Sequence, residues 1–235
     1  RGLGDVYKRQ VLPTGGGKSI CYQIPGLKLG GTTVVISPLI SLMKDQVDQL
    51  KAMGIHAAYL NSSLSQKQQK QIEQELASGK IQFLYVAPER FENQYFLSIL
   101  RKLEIHLIAF DEAHCISKWG HDFRPSYQNV IQKVMTLPQD FVVIALTATA
   151  TTEVQRDIMD KLYISADNRV KTSTKRRNLI FKVNPTYQRQ KFVLDYVQAH
   201  RDEAGIIYCS TRKQVEELQE AIQSIDLEAA IYHAG

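Results

Sequence analysis

The sequence predicts an α/β fold in which a mostly parallel sheet carries helices on both faces. Three observations predict it. Short apolar runs alternate with helix-period segments from Leu12 onward. A glycine-rich turn, LPTGGGKS at residues 12–19, stands between an expected strand and an expected helix. An acid pair, Asp111 and Glu112, directly follows the apolar run LIAF at residues 107–110, as at the carboxyl edge of an open sheet where ligands sit.

The elements follow in order. TVVIS, residues 33–37, reads as a strand. After Pro38, Leu39, Leu42, Met43, Val47, Leu50 and Met53 recur at helical spacing, and Gly54 supplies a stop. AAYL, residues 57–60, is a second strand, followed by a Gln- and Lys-rich helix over 65–78 with a solvated polar face. FLYV (83–86), LIAF (107–110) and FVVIAL (141–146) complete a sheet of about five or more strands. Polar, irregular sequence over 165–178 then breaks the rhythm, with 168–178 as the linker after a first domain over 1–167. The pattern restarts with LIFKV (179–183), a helix over 187–200, GIIYC (205–209), a helix over 211–224 and AAIYH (229–233). This second, incomplete lobe over 179–235 is expected to be marginally stable alone, because two helices cannot cover both faces of a parallel sheet.

The opening residues fit the pattern poorly. A strand leading into a phosphate loop is buried on both faces and should be apolar, yet Tyr7, Lys8, Arg9 and Gln10 precede Val11. Burying Lys8 and Arg9 unpaired is costly, so residues 1–10 are read as a truncation or junction artefact, with a short or frayed strand.

Composition narrows the partners. A formal charge of +5 and a pI near 9.0 favour an acidic partner, with nucleic acid the first candidate. Cys21, Cys115 and Cys209 are scattered, with no C-x-x-C pair, so neither a disulfide framework nor a zinc site is encoded, and a reducing setting is expected. No apolar run approaches the roughly 20 residues that cross a bilayer, and no secretory h-region opens the chain, so no membrane partner is expected.

The chemistry concentrates in a few motifs. In the glycine-rich turn, Thr14, Gly15, Gly16 and Gly17 let backbone N–H groups face an anion. Lys18 can reach β/γ-phosphates and Ser19 can ligate Mg²⁺, which together point to a nucleoside triphosphate. Leu12 stands where the strict pattern has glycine, and a tight turn alone gives the same spacing. Asp111 would hold Mg²⁺ and Glu112 would orient or deprotonate water. ALTATAT, residues 145–151, sets Thr147 and Thr149 at a strand end, either to hydrogen-bond His114 and the nucleotide site or to cap a helix. Ser37 in SPLISLMKDQV and Asn61 in YLNSSLS lie at strand-to-helix junctions that suit nucleic-acid phosphates or ordinary capping. APER, residues 87–90, is similarly placed. The segment CISKWGHDFRPSY interleaves Trp119, Phe123 and Tyr127 with Lys118, His121 and Arg124, a stacking platform for unpaired bases or a set of core plugs.

Over residues 12–235 these motifs resemble the RecQ family of superfamily 2 DNA helicases. LPTGGGKSICYQIP is similar to its motif I, SPLISLMKDQV to motif Ia, ALTATAT to motif III and IIYCSTRKQVEEL to motif IV. DEAHCISKWGHDFRPSY, which joins motif II to an aromatic-rich loop, is the most discriminating segment. The resemblance implies two RecA-like lobes, the second incomplete, that bind ATP and Mg²⁺ between them. It also implies 3′ to 5′ movement on single-stranded DNA with separation of duplex DNA, in recombination and repair. By position, Lys18, Asp111, Glu112 and His114 would be catalytic, Ser19 and Asp111 would hold metal, and Trp119, Phe123 and Arg124 would couple DNA to hydrolysis. Ser37, Asn61 and Ser210 would line the DNA path, with Thr147 and Thr149 in the coupling set. The implied location is bacterial cytoplasm and nucleoid, or a eukaryotic nucleus.

Departures from the family are specific. Lys118 replaces a usual Gln, Arg177 replaces a usual Pro, and the upstream motif that reads adenine is absent. Motifs V and VI with the arginine finger, a zinc-binding element and a winged helix would lie beyond Gly235, so any zinc would belong there. An arginine finger contributes on the order of 10³ to 10⁵ in rate, so the chain as given is expected to bind ATP and hydrolyse it near background. Two readings stay open beside the DNA helicase: an RNA helicase of the same superfamily, and a non-catalytic nucleotide- or nucleic-acid-binding module.

Overall fold

The computed structural model describes residues 17–120, 122–138, 140–148, 150–171 and 178–233, and the backbone of residues 7–11. The chain divides into two compact units, residues 1–176 and 177–235.

The first unit is built on seven strands: β1 (Tyr7–Val11), β2 (Thr32–Ile36), β3 (Ala57–Leu60), β4 (Phe83–Val86), β5 (Ile105–Phe110), β6 (Val142–Thr147) and β7 (Arg169–Lys171). They lie in the order β3-β4-β2-β5-β6-β1-β7, and every pairing is parallel. Among the described residues six α-helices connect them: α1 (Ile20–Leu29), α2 (Ile40–Ala52), α3 (Gln66–Ala77), α4 (Gln94–Leu100), α5 (Pro125–Met135) and α6 (Thr152–Lys161).

Because strand side chains alternate between faces, the sheet separates two apolar cores. Val34 and Ile36 face one core with Leu76, Phe96, Tyr127, Val130 and Ile158, under α3 to α6. Val35 faces the other with Tyr22, Met43, Val47 and Leu50, under α1 and α2. A strand covered on both faces must be apolar throughout, which is why TVVI and LIAF carry no polar alternation. Gly26 lets α1 sit against the sheet, since a Cβ there would collide with the Thr33 hydroxyl and meet the Phe83 ring.

Local signals set the helix limits. Ser65 and Gln68 form a reciprocal capping box, so the helix expected over 65–78 runs Gln66–Ala77 with Ser65 outside it. Asn93 caps α4, Thr151 caps α6, and Pro125 opens α5.

Two expectations are corrected here. Residues 7–11 of the lead-in, expected as a short or frayed strand, form β1, all five of whose residues pair with β6, and Arg9 to Val11 also pair with β7. The linker expected from residue 168 starts later, because β7 at residues 169–171 belongs to the first sheet.

In the second unit the regular elements are α7 (Arg189–Ala199) and α8 (Arg212–Gln223). The segments 179–183, 205–209 and 229–233, expected as strands, form no ladder among the described residues. Phe181 is 90% and Val183 93% exposed, so these apolar runs lack the cover on both faces that a parallel ladder needs. Among the described residues no helix is long and apolar enough to cross a membrane.

Candidate nucleotide and nucleic-acid site

The carboxyl ends of β2, β5 and β6 and the amino end of α1 converge on one crevice of the first unit. Gly17, at φ +75°, turns the chain into α1 and presents Lys18 and Ser19. Lys18 Nζ lies 2.9 Å from Glu112 Oε1, although 94 residues separate them. Thr14, Gly15 and Gly16 lie outside the described residues, as does Thr149.

Strand β5 delivers both acids. The Asp111 N–H donates to the Ile36 carbonyl (2.9 Å), extending the sheet by one residue, and the Ser37 hydroxyl donates to Asp111 Oδ2 (3.4 Å). Glu112 then adopts a left-handed conformation, φ 46° and ψ 47°, which costs a non-glycine residue roughly 1–3 kcal/mol. That turn sends its carboxylate to Lys18 on one oxygen and to His114 Nδ1 on the other, at 3.3 Å. The His114 ring nitrogen also meets the Thr147 hydroxyl at 3.1 Å, and both side chains are buried.

The two acids sit in opposed environments. The His114 hydrogen bond, then Lys18, holds the Glu112 carboxyl down at about 2, against the opposing effect of burial. Burial, followed by the neighbouring Glu112 charge, pushes the Asp111 carboxyl up. An oxygen-only pair of the Ser19 hydroxyl and the Asp111 carboxylate is a donor set that suits Mg²⁺, and a cation there would offset the cost of burying Asp111.

The segment after the acids is anchored from two sides. Lys161 of α6 donates to the Ile116 carbonyl (3.0 Å). Gly120 packs onto the His114 carbonyl with no room for a Cβ. The loop leaves Trp119 67% exposed and Phe123 half-buried. Arg124 pairs with Asp122 (3.1 Å) and reaches the Pro38 carbonyl (3.5 Å), so it ties this loop to the start of α2. His121 lies outside the described residues.

Three sequence expectations change. Tyr127 is not part of an exposed stacking platform: it is buried against Phe110, and its hydroxyl donates to the Asp111 carbonyl at 3.3 Å. The Asn61 side chain does not line an open path: it is buried, accepts from Ser63 N–H (2.9 Å) and faces Met43 Sδ. Ser37 is buried too, with its hydroxyl committed to Asp111 and to the Leu39 N–H rather than to solvent. Ser210 is exposed in the second unit, just before the Thr211 cap of α8.

The sequence reading missed two features. Tyr22, Gln23, Tyr85 and Gln46 form a polar cluster beside the first turns of α1, and their identities in CYQ, FLYV and SPLISLMKDQV carried no spacing signal. His114, Cys115 and Asp122 place one donor atom each within 4.8 Å, but Asp122 is engaged by Arg124 and burial pushes the Cys115 thiol up to about 12.

This crevice, with a phosphate-loop lysine facing an acid pair at the end of a parallel strand, is that of a nucleotide-binding α/β domain. The DEAD/DEAH box helicase family matches residues 9–158, and the chain belongs to that family. Within it the chain is of the RecQ type. It is 49% identical over 225 residues to the ATP-dependent DNA helicase RecQ of Bacillus subtilis, covering 96% of this chain and 38% of that protein. It is 44% identical over 225 residues to the protein of the same name from Haemophilus influenzae, covering 96% and 36%. The chain thus spans under two fifths of the length of these curated relatives. The fold is shared with the DUF1998 helicase MrfA bound to DNA, at TM-score 0.69 and 15% identity over 94% of this chain and 32% of that one.

Proposed function

We propose that this chain carries the ATP·Mg²⁺-binding core of a RecQ-type DNA helicase that moves 3′ to 5′ on single-stranded DNA and separates duplex DNA in recombination and repair. The observation that carries the reading is the 2.9 Å contact of Lys18 with Glu112, beside the buried Asp111. The names of its relatives, ATP-dependent DNA helicases, agree with it.

The residues divide the work. Lys18 takes the β/γ-phosphate charge, and the backbone N–H groups around Gly17 cradle the anion. When Lys18 turns to phosphate it leaves Glu112, and that exchange converts a paired carboxylate into one able to hold water. While Lys18 is paired with it, Glu112 is held at about 2 and is a weak proton acceptor; the departure of Lys18 removes one of the groups that hold it down, with His114 still bonded. Ser19 and Asp111 would hold Mg²⁺, which neutralises charge on the phosphoryl group in transfer. His114 and Thr147 carry the state of Glu112 to the end of β6. Trp119, Phe123 and Arg124 meet unpaired bases and backbone, with stacking worth about 1–3 kcal/mol per base.

The test is a comparison, in a full-length protein that contains this chain, of ATP turnover with single-stranded DNA and with RNA, beside a Glu112→Gln variant. DNA stimulation, with retained nucleotide binding and lost turnover in the variant, is expected. Stimulation by RNA alone would make the chain part of an RNA helicase. Unchanged turnover in the variant would remove Glu112 from its role.

A further inference from the structure

The polar cluster beside the first turns of α1 connects two places that the proposed function keeps apart. The Ser19 carbonyl accepts the N–H groups of Tyr22 (3.2 Å) and Gln23 (2.9 Å), so both side chains hang from the first turn after the loop. The Tyr22 hydroxyl meets the Tyr85 hydroxyl at 3.2 Å, with both rings buried edge to face. The Gln23 side-chain amide donates to the Tyr85 hydroxyl (3.2 Å) and to the side-chain oxygen Oε1 of Gln46 on α2 (3.2 Å). Burial pushes both phenols up, so both hydroxyls keep their protons and can donate.

Helix α2 is thereby held at two points that both trace to the nucleotide crevice. One is Gln46, mid-helix, through Gln23 to Ser19. The other is its amino end, where Ser37 bonds both Asp111 and the Leu39 N–H, and where Arg124 reaches Pro38 from the aromatic loop. Apolar contacts by Met43, Val47 and Leu50 hold α2 on the sheet. Directional hydrogen bonds further constrain its position, because they weaken steeply with misalignment.

We propose that Gln23 is a positioning residue: through Tyr85 and Gln46 it transmits occupancy of the phosphate site to α2, and so sets the affinity for single-stranded DNA at the aromatic loop, whose Arg124 reaches the Pro38 carbonyl just before that helix. The proposal rests on the reading of Lys18 and Ser19 as phosphate residues. Neither Tyr85 nor Gln46 belongs to the assigned catalytic or binding set.

The test measures binding of a fluorescent oligo-dT strand with and without Mg²⁺·AMP-PNP, and reads the ratio of the two affinities. Couplings of this kind are typically about 5- to 150-fold, and each single-ligand affinity should stay within about twofold on substitution. Gln46→Ala should bring the ratio to near one. Gln46→Glu, which keeps an acceptor for the Gln23 amide, should restore it. Tyr85→Phe, which keeps the ring and removes the hydroxyl, should lower it. An unchanged ratio in Gln46→Ala, or a ratio of one in the unsubstituted chain, would overturn the proposal. Failure of the unsubstituted chain to bind AMP-PNP at all would overturn the phosphate-site reading itself, and the relay with it.

Discussion

The imidazole of His114 and the hydroxyl of Thr147 meet at 3.1 Å, joining the turn after β5 to the carboxyl end of β6. The same ring nitrogen faces Glu112 at 3.3 Å, so one buried group adjusts to both a catalytic carboxylate and a strand end.

Thr147→Val keeps the shape and removes that hydroxyl. Losing one buried hydrogen bond costs about 1–3 kcal/mol. Nucleotide affinity should hold, while DNA-stimulated turnover falls on the order of tenfold, since about 1.4 kcal/mol corresponds to one decade in rate. Steady-state kinetics with and without DNA checks this.

Trp119→Ala should weaken oligo-dT binding by about 1–3 kcal/mol, the value of one stacked base. Urea unfolding should be unchanged, because the ring is 67% exposed and packs against little. A matching loss of stability would instead make Trp119 a core plug.

Glu73→Ala should destabilise the first unit by about 3–5 kcal/mol, because it leaves Arg90 as an uncompensated buried charge. The pair is 2.6 Å long, and the Arg90 guanidinium also bonds Gln69 and lies over the Phe96 ring. Urea denaturation followed by far-UV circular dichroism measures the change.

The acid pair gives opposite pH signatures. Glu112 is held below its usual range, so its contribution is present above that range and is lost as pH falls toward about 2. Asp111 is raised, so its buried charge opposes folding at neutral pH, and that penalty fades as pH falls through its folded value. Asp111→Asn should therefore raise the thermal midpoint at pH 7 while abolishing metal-dependent turnover. Lys18→Ala should move acid unfolding to higher pH, because Glu112 loses a cation that keeps it ionised. Calorimetry across pH 2 to 7, on the order of the interval over which carboxylates titrate, reads both.

Much of the crevice was legible because chemistry restricts residue type at fixed places. A lysine after glycines and two acids after LIAF have few alternative uses, and they meet as expected. The misread residues share another property: tertiary context decides them. Ser37 and Asn61 are small polar residues at junctions, where inward and outward orientations look alike in sequence. Tyr127 did carry a signal, since Tyr127, Val130, Ile131 and Val134 recur at the spacing of one buried helix face. Strand β7 did not, because RVK is short and two of its three residues are charged, and its place comes from backbone bonds to β1. In residues 177–235 the apolar runs looked like strands, yet a run becomes a strand only where something covers it.

The tryptophan of the aromatic loop is the sole one in the chain. Its indole emission therefore belongs to that loop alone, seven residues along the chain from Glu112. Any event that moves the loop can be followed optically, without a label and without altering a single atom.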